Sequence, residues 1–344
     1  MSDSSPSSRA AQLVDWIATQ TNDADFAIEA ASEDASFRRY FRIVPKNTPF
    51  FGQKSLIAMD APPDKENSAQ FVHVAQLMHT HGVNAPHIFA QDTAQGFLLI
   101  QDFGDVTYQD ALARGDHAGK LYSDALHALV RWQKNSRCGD LPDYDETLLR
   151  RELMLFPEWY AQKHKNHVLS VQEQKTFDQI SQRLIAAAQA QEQVFVHRDY
   201  HVRNLMVLDE NNPGILDFQD AVYGPITYDL VSLLRDAYID WDEEQQIDWA
   251  IRYWEIARAE GVPVPVRFDE FWREFEWMGV QRHLKIAGIF ARLYHRDGKD
   301  AYLNDLPRVM RYLRKTTERY AELSPLLFLL DTLEQRVPQV GYTF

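Results

Sequence analysis

The chain has 344 residues, a hydrophobic content of 45% and a formal net charge of −14. This length predicts one large two-lobed domain or two domains, with enough apolar residues for a substantial core. The excess of acidic residues argues against a protein that binds nucleic acid or an anionic membrane, because both need a basic surface. The single cysteine, Cys138, excludes an internal disulfide and is typical of a reducing compartment.

The N-terminal segment has no basic start followed by an apolar stretch, so it does not resemble a secretory signal. No window holds the roughly eighteen consecutive apolar residues that a membrane span needs. We therefore expect a soluble cytoplasmic protein with no nucleic-acid, membrane or obligate protein partner. Residues 1–8 are rich in serine, which predicts disorder there.

The first hundred residues read mainly as strands, and the rest reads mainly as helices. Helices are expected over 9–20, 67–81, 121–132, 147–164 (interrupted at Pro157), 171–190, 226–238, 243–260, 268–295, 299–315 and 317–334. Strands are expected over 26–30, 36–44, 55–63, 88–90, 96–100, 194–196, 205–208 and 215–218. This order predicts an α+β fold with two lobes, a small N-terminal β-sheet lobe over 1–102 and a large helical C-terminal lobe over 103–344.

One segment of the helical half carries the chemistry. His197, Asp199 and Asn204 follow the buried strand 194–196 on a loop, and Asp217 ends the next predicted hairpin, where it can face back toward Asp199. An Asp or an Asn alone would mean little, because both commonly cap helices and end strands. Together, one carboxylate can orient or deprotonate a hydroxyl, while an Asn and a second carboxylate hold magnesium. This spacing is the signature of the protein-kinase-like superfamily.

The residues after Asp217 argue against a protein substrate. Gln219 stands where protein kinases have glycine, Gly224 and Pro225 arrive soon afterwards, and no Ala-Pro-Glu motif follows. There is no room for the long segment that presents a peptide. The large helical half is instead expected to build a pocket for a small alcohol.

The catalytic motifs, together with the segments SEDASFRRYFR, MDAPP, QDFGD and RELMLFPEWY, make the chain similar to the aminoglycoside phosphotransferase and choline kinase superfamily. The flanking segments resemble the bacterial subgroup that phosphorylates cell-wall amino sugars. The resemblance implies ATP and Mg²⁺. It also implies transfer to the anomeric hydroxyl of N-acetylmuramate or N-acetylglucosamine, giving a sugar 1-phosphate in peptidoglycan recycling.

The same resemblance assigns roles to individual residues. Asp199 would be the catalytic base or the group that orients the hydroxyl. Asn204 and Asp217 would be Mg²⁺ ligands. His197 and Asp229 would support the loop.

The nucleotide side departs from the family pattern. The third strand has no lysine for the α- and β-phosphates, since Met59 or Asp60 takes its place. The turn over 31–35 has no glycine, and segment 101–105 holds the position of the hinge. Replacement cations could come from Arg38, Arg39, Arg42 or Lys65, each of which could equally be a solvated surface charge. The candidate nucleotide-binding residues are Ser32, Ser36, Arg38, Gln101 and Phe103.

A sugar acceptor needs polar groups, often an aromatic face and, for a carboxylate, a cation. Arg282 falls on the apolar stripe of the 268–295 helix, so it should pair with a protein carboxylate or a ligand. Trp159 could instead be a core aromatic. The candidate substrate-binding residues are Glu152, Trp159, His201, Tyr223 and Arg282.

Two other functions stay open at this point. An aminoglycoside-type antibiotic kinase would need an acidic pocket for a polycationic acceptor. A catalytically silent nucleotide-binding scaffold is suggested by the missing lysine, although the intact Asp199, Asn204 and Asp217 argue against it.

Overall fold

The computed structural model describes residues 6–33 and 37–336. The chain divides into two compact units. Unit 1 contains the described residues up to Thr107 together with Leu205–Gln219. Unit 2 contains Tyr108–Asn204 and the described residues from Asp220 onward. Segment 205–219, expected in the helical lobe, therefore belongs to unit 1, and the functional boundary between residues 102 and 103 stays a prediction.

The predicted α+β class is confirmed, with a small antiparallel sheet near the N-terminus and a large helical part. The strands are β1 (Phe26–Glu33), β2 (Arg39–Pro45), β3 (Leu56–Asp60), β4 (Ile88–Asp92), β5 (Phe97–Gln101), β6 (Gln193–Val196), β7 (Leu205–Met206), β8 (Gly214–Ile215) and β9 (Val222–Pro225). The α-helices are α1 (Pro6–Thr21), α2 (Ser68–Thr80), α3 (Tyr108–Ala113), α4 (Ala118–Lys134), α5 (Glu146–Leu153), α6 (Val171–Ala190), α7 (Tyr228–Leu234), α8 (Glu243–Ala259), α9 (Phe268–Asp297), α10 (Leu306–Arg319) and α11 (Ser324–Leu333). A π-helix spans Phe156–His164, and 3-10 turns span Asp300–Asn304 and Ala321–Leu323. No helix in the described part of the chain is long and apolar enough to cross a membrane.

The sheet of unit 1 has the strand order β1-β2-β3-β5-β4. One of its faces packs on α1 in a core that includes Trp16, Ile43, Leu56 and Ala58. Because side chains alternate along a strand, Met59 points to the opposite face. The hairpin β7–β8 also belongs to this unit.

The predicted turn over 31–35 is wrong in its first half. β1 continues to Glu33 and pairs with β2, with Ser32 opposite Tyr40 and Glu33 opposite Arg39. A register shift after Ala30 lets this polar stretch stay in the sheet, since its backbone groups find partners on β2. The rest of that turn and the predicted strand start at residue 36 lie outside the described residues.

Proline explains most of the helix boundaries that the pattern missed. Pro157 stands in the first turn of the π-helix, and the predicted helix over 147–164 is divided into α5 and the π-helix. Pro307 and Pro325 stand in the first turns of α10 and α11, which therefore replace the helices expected over 299–315 and 317–334.

The helix expected over 226–238 is shorter, because α7 ends at Leu234 and the following residues leave the helical conformation.

Unit 2 is built around the long helix α9, which contacts the π-helix, α6, α7 and α10. Gly288 lies at the close approach of α9 to the chain before the π-helix. A Cβ atom at Gly288 would stand 2.4 Å from the carbonyl carbon of Leu155, a distance that real Cβ atoms do not adopt. The position therefore requires glycine for packing, although glycine weakens a helix interior.

We predict that Gly288→Ala lowers the free energy of unfolding by about 1–3 kcal/mol, because backbone must move to relieve the overlap. Gly279→Ala in the same helix is the matched control, since the nearest atom to its Cβ would be 3.7 Å away. The control should be stabilised by about 0.5–1 kcal/mol. Urea unfolding of both variants measures the difference, and equal stabilities would contradict the packing account.

Candidate active site

A short buried strand pair positions the loop 197–204, which carries the predicted catalytic residues. β6 pairs antiparallel with β9, so that Val196 lies opposite Val222. The loop 197–204 begins where β6 ends, and both strands belong to unit 2. The apolar run 194–196 thus forms a buried strand, and the polar residues of the loop 197–204 follow directly at its end.

Asp229 holds the first turn of this loop. It stands in the first turn of α7 and is fully buried. Its two carboxylate oxygens accept the backbone N–H groups of His197 at 2.7 Å and Arg198 at 2.9 Å. Burial raises the pKa of Asp229 to about 7, although the two N–H donors favour its ionised form. Its function in loop support stays a prediction.

Arg198, the residue before Asp199, is held at its backbone and its side chain. Its φ of 77° is in the left-handed region, which costs about 1–2 kcal/mol for a residue with a Cβ. Its carbonyl oxygen accepts Nη1 of Arg282 at 2.9 Å, and its guanidinium pairs with Glu152. Its backbone N–H also donates to Asp229. Together these contacts fix the direction of the backbone just before Asp199.

Glu152, from α5, is the anion at the centre of a buried polar cluster. It accepts the hydroxyl of Tyr144 and the guanidinium of Arg198, and it lies 3.0 Å from Nζ of Lys285. Burial alone would raise the pKa of Glu152, but the charges of Lys285 and Arg198 bring it below its ordinary value. The hydroxyl of Tyr228 accepts Nζ of Lys285 at 3.0 Å, which ties α7 and α9 to the cluster.

Asp199 differs from these anchored residues. Within the described part of the chain, its carboxylate makes no hydrogen bond or ion pair, and the side chain is only partly buried. Burial opposes its ionisation, yet the charges of Lys285 and Arg282 lower the pKa of Asp199 to about 2. Asp199 is therefore an ionised carboxylate with oxygens available to a hydroxyl donor.

The remaining motif residues shape the loop from within. Nδ1 of the fully buried His197 accepts the N–H of Asp199 at 3.2 Å. Nδ2 of Asn204 donates to the carbonyl of Asp199 at 2.9 Å. Asp236, which the sequence analysis missed, accepts the N–H of Val202 at 3.2 Å. It reaches this donor because the chain leaves the helical conformation after α7.

Asp217 belongs to unit 1, just past β8. Its φ of 60° is again left-handed, and Oδ1 accepts the side-chain amide of Gln219 at 2.8 Å. The ring of Phe218, fully buried, lies 4.6 Å from that of Phe71 on α2. Phe218, the residue after Asp217, thus lies in the core of unit 1.

The predicted substrate residues of unit 2 differ in accessibility. Glu152 and Arg282 are buried, Arg282 with 3% of its surface exposed. Three others are partly buried: Trp159 on the π-helix, His201 in the loop 197–204 and Tyr223 on β9. These five assignments stay predictions. Burial favours action through the loop for Glu152 and Arg282, and leaves the other three accessible to a ligand.

The predicted nucleotide residues that the structure describes belong to unit 1. Gln101 ends β5, and its N–H donates to the carbonyl of His87 at 2.8 Å. Phe103 is buried against the hairpin, where a Cβ on Gly214 would lie 2.6 Å from its ring. Arg38 lies 2.8 Å from Glu66. Ser32 lies in β1, Ser36 falls outside the described residues, and the nucleotide role of all five stays a prediction.

A cavity of about 950 Å³ in unit 2 contains none of the predicted site residues. Its lining includes Trp241, Met310 and Tyr312. The charged lining residues Arg311 and Lys315 are already paired with carboxylates. Despite its size, this cavity therefore does not mark the predicted phosphotransfer site.

The described residues contain no group of three or more His, Cys, Asp or Glu side chains placed to hold a metal. The oxygens of Asn204 and Asp217 are nonetheless the hard donors that Mg²⁺ prefers. Magnesium is commonly held by one or two carboxylates together with substrate phosphates, so a small protein donor set fits this ion.

The fold and the loop 197–204 indicate a kinase-like phosphotransferase, and comparison with known proteins supports this class. Residues 27–271 match the phosphotransferase enzyme family, and the chain belongs to this family. It is 48% identical to an N-acetylmuramate/N-acetylglucosamine kinase of Neisseria meningitidis, over 98% of this chain and 99% of that protein. A protein of the same name from Pseudomonas aeruginosa is 49% identical over 89% of this chain and 88% of its own length.

Among solved structures, a choline kinase from Cryptosporidium parvum is similar with a TM-score of 0.62 at 12% identity. The match covers 93% of this chain and 99% of that one, and it supports the kinase-like fold. The chain is thus an enzyme of the phosphotransferase class.

We predict a pH-dependent contribution of Asp229 to stability. Its folded-state pKa lies above the unfolded value of 3.8, so the folded protein binds more protons. The stabilisation is therefore complete below about pH 4 and is lost as the pH rises toward 7. The difference in unfolding free energy between the native chain and Asp229→Asn should shrink by roughly 1 kcal/mol per pH unit over that range. Denaturant titrations at several pH values would contradict this if the difference stayed constant.

Proposed function

We propose that this enzyme transfers the γ-phosphoryl group of ATP to the anomeric hydroxyl of N-acetylmuramate or N-acetylglucosamine, giving a sugar 1-phosphate and ADP. The observation that carries the proposal is the ionised Asp199 carboxylate, which has no protein partner among the described residues and is presented by a tightly anchored loop. The names of the bacterial relatives support the choice of acceptor. Peptidoglycan recycling is the process that would supply these sugars.

In the proposed reaction, the acceptor oxygen bonds to the γ-phosphorus as the bond from that phosphorus to the bridging oxygen of ADP breaks. Asp199 accepts the hydrogen bond of the hydroxyl and so aims the oxygen in line with the leaving group. With a pKa of about 2, Asp199 is a weak base, and it takes the proton late, once the new P–O bond has made the hydroxyl acidic.

Asn204 and Asp217 would hold Mg²⁺ together with the phosphates, as their oxygen donors allow. When bound, the ion neutralises charge on the transferred group. The protein contributes mainly position and charge, which suits phosphoryl transfer because little covalent work is required of side chains.

The charges near Asp199 bear on the acceptor. Lys285, Arg282 and Arg198 all lower the pKa of Asp199, so cations lie near the carboxylate that would meet the acceptor. N-Acetylmuramate carries a lactyl carboxylate that can pair with a cation of this kind. The choice of an amino sugar over an aminoglycoside rests on the names of the bacterial relatives. Direct contacts from Trp159, His201 and Tyr223 are part of the proposal, whereas the buried Glu152 and Arg282 would act on the sugar through the loop.

We predict ADP release with N-acetylmuramate and N-acetylglucosamine and none with kanamycin, when the three acceptors are tested in parallel by a coupled assay. Turnover with kanamycin alone would contradict the proposed acceptor class. Tight ATP binding without turnover of any acceptor would favour a silent scaffold.

We predict that Asp199→Asn lowers the turnover number by about 10²–10⁴-fold, because the amide cannot accept the hydroxyl proton. The affinity for ADP, measured by calorimetry, should stay within about threefold, since the loop is anchored by residues other than Asp199. Asp209→Asn, at an exposed position of the turn between β7 and β8, should keep native turnover. Substantial turnover by Asp199→Asn would remove the role given to this carboxylate.

A further inference from the structure

Arg203 lies in the loop 197–204, after Asp199 and directly before Asn204. Its side chain is exposed, whereas the neighbouring Val202 is buried. Within the described part of the chain, its guanidinium forms no ion pair with a carboxylate. An exposed arginine side chain usually samples many conformations, so its contacts decide whether it can bind a ligand specifically.

Two contacts hold the guanidinium of Arg203 in place. Its Nε donates to Oε1 of Gln109 at 2.9 Å, and its Cζ lies 3.5 Å from the centre of the Tyr238 ring. Gln109 is itself fixed to the loop, since its backbone N–H donates to the carbonyl of Val202 at 3.1 Å. An arginine stacked on an aromatic face loses less conformational freedom when it binds a planar anion. The side chain is therefore pre-organised, although it is exposed.

These contacts leave the outer part of the guanidinium available. Nε of Arg203 is bound to Gln109, while Nη1 and Nη2 make no hydrogen bond to any residue that the structure describes. The N–H groups of the Nη atoms lie in the plane of the guanidinium, and this geometry matches the two oxygens of a carboxylate. Arg203 can thus bind a carboxylate and keep both of its present contacts.

The other cations of this part of unit 2 are engaged by the protein. Arg198 and Lys285 both pair with Glu152. Arg282 is buried, and its Nη1 donates to the carbonyl of Arg198. These contacts use the three cations to hold the loop. Arg203 differs because it is exposed, ordered and without a counter-charge among the described residues.

Tyr238 places Arg203 close to the predicted catalytic carboxylate. Burial raises the pKa of Tyr238, the charge of Arg203 lowers it and the charge of Asp199 raises it, so both charges lie near the tyrosine hydroxyl. The rings of His201 and Tyr238 meet at 83°, with their centres 5.3 Å apart. Arg203, His201 and Tyr238 therefore form one surface beside Asp199. It combines a cation, an aromatic face and polar groups, as an acidic sugar requires.

The two proposed acceptors differ in one charged group. N-Acetylmuramate is N-acetylglucosamine with a lactyl ether on the oxygen of the third carbon, so it alone carries a carboxylate. The anomeric oxygen is on the first carbon of the same ring. A protein that holds this oxygen at Asp199 therefore needs the cation for the carboxylate beside Asp199 and out of contact with it. Arg203 is placed in this way.

We propose that Arg203, held by Gln109 and Tyr238, binds the lactyl carboxylate of N-acetylmuramate and so distinguishes this acceptor from N-acetylglucosamine. This inference rests on the proposed use of amino sugars. The Nη groups bind the two carboxylate oxygens, and stacking on Tyr238 keeps the plane of the guanidinium fixed while they do so. N-Acetylglucosamine has no carboxylate for Arg203 and depends on the other polar groups of the site.

The test compares steady-state rates of the full chain with the two sugars at saturating ATP. Arg203→Gln should raise the KM for N-acetylmuramate by about tenfold or more, the usual effect of losing a charge-assisted contact. The KM for N-acetylglucosamine and the kcat for each sugar should change by less than about threefold, since Asp199 and its anchors are unchanged. Arg203→Lys should recover part of the loss, because an ammonium keeps the charge without the planar fork.

Arg258→Gln is the matched control. Arg258 on α8 is also exposed, and its Cζ lies 4.6 Å from the centre of the Trp254 ring. It forms no ion pair with the residues that the structure describes, and α8 carries none of the predicted site residues. This variant should keep the native KM for both sugars. Thermal unfolding of each variant checks that it is folded.

The outcomes separate this inference from the proposed function. An equal rise in KM for both sugars would overturn the role of Arg203, because the loss would then concern the loop in general. Native KM values in Arg203→Gln would also overturn it, and either result would leave the kinase activity standing.

Calorimetric titration with N-acetylmuramate, without ATP, makes the same comparison independently of turnover. Weaker binding by Arg203→Gln, again by about tenfold, would support the inference even if the native chain transferred no phosphate, a result that contradicts the proposed function alone. Failure of the native chain to bind N-acetylmuramate at all would contradict both.

Discussion

The hydrogen bonds from the backbone N–H groups of His197 and Arg198 to Asp229 are the interaction on which the loop 197–204, the predicted catalytic loop, depends. A buried carboxylate is costly unless donors satisfy it, and two consecutive N–H groups do so here. The same bonds hold Arg198 in its left-handed conformation. Arg282 adds a hydrogen bond to the carbonyl of that residue and Glu152 pairs with its guanidinium, so contacts from α7, α9 and α5 meet on one residue.

The carboxylates near this loop fall into two groups. Glu152 and Asp229 bind groups of the protein itself, and these contacts set the geometry and electrostatics of the loop. The charges of Lys285 and Arg282 lower the pKa of Asp199, although Asp199 forms an ion pair with neither of them. A carboxylate kept ionised by nearby charges and still open to a ligand is well placed to orient a hydroxyl, and less suited to strong base catalysis. In the proposed mechanism the chemistry therefore depends on the position of Asp199, which its hydrogen-bonded loop fixes.

Much of this arrangement could be predicted from the sequence, because the motif residues have fixed spacing and follow an apolar strand. The shape of the catalytic loop could not be predicted. The left-handed Arg198 is invisible in the sequence, since arginine rarely adopts that conformation, and Asp236 is recognised only once α7 is seen to end early. Helix boundaries were missed where Pro307 and Pro325 start new helices within periodic apolar patterns. The pairing of Arg38 with Glu66 joins a residue just before β2 to a residue just before α2, and a list of basic residues does not contain that information.

The central claim is that phosphate is transferred to the anomeric oxygen of an amino sugar aimed by Asp199. The most direct measurement is NMR of the product formed from ATP and N-acetylmuramate, with phosphorus–proton and phosphorus–carbon couplings used to locate the phosphate. The account predicts coupling of phosphorus to the anomeric proton and to the anomeric carbon. Phosphorus coupled to any other sugar position, or the absence of a phosphorylated sugar, would contradict it.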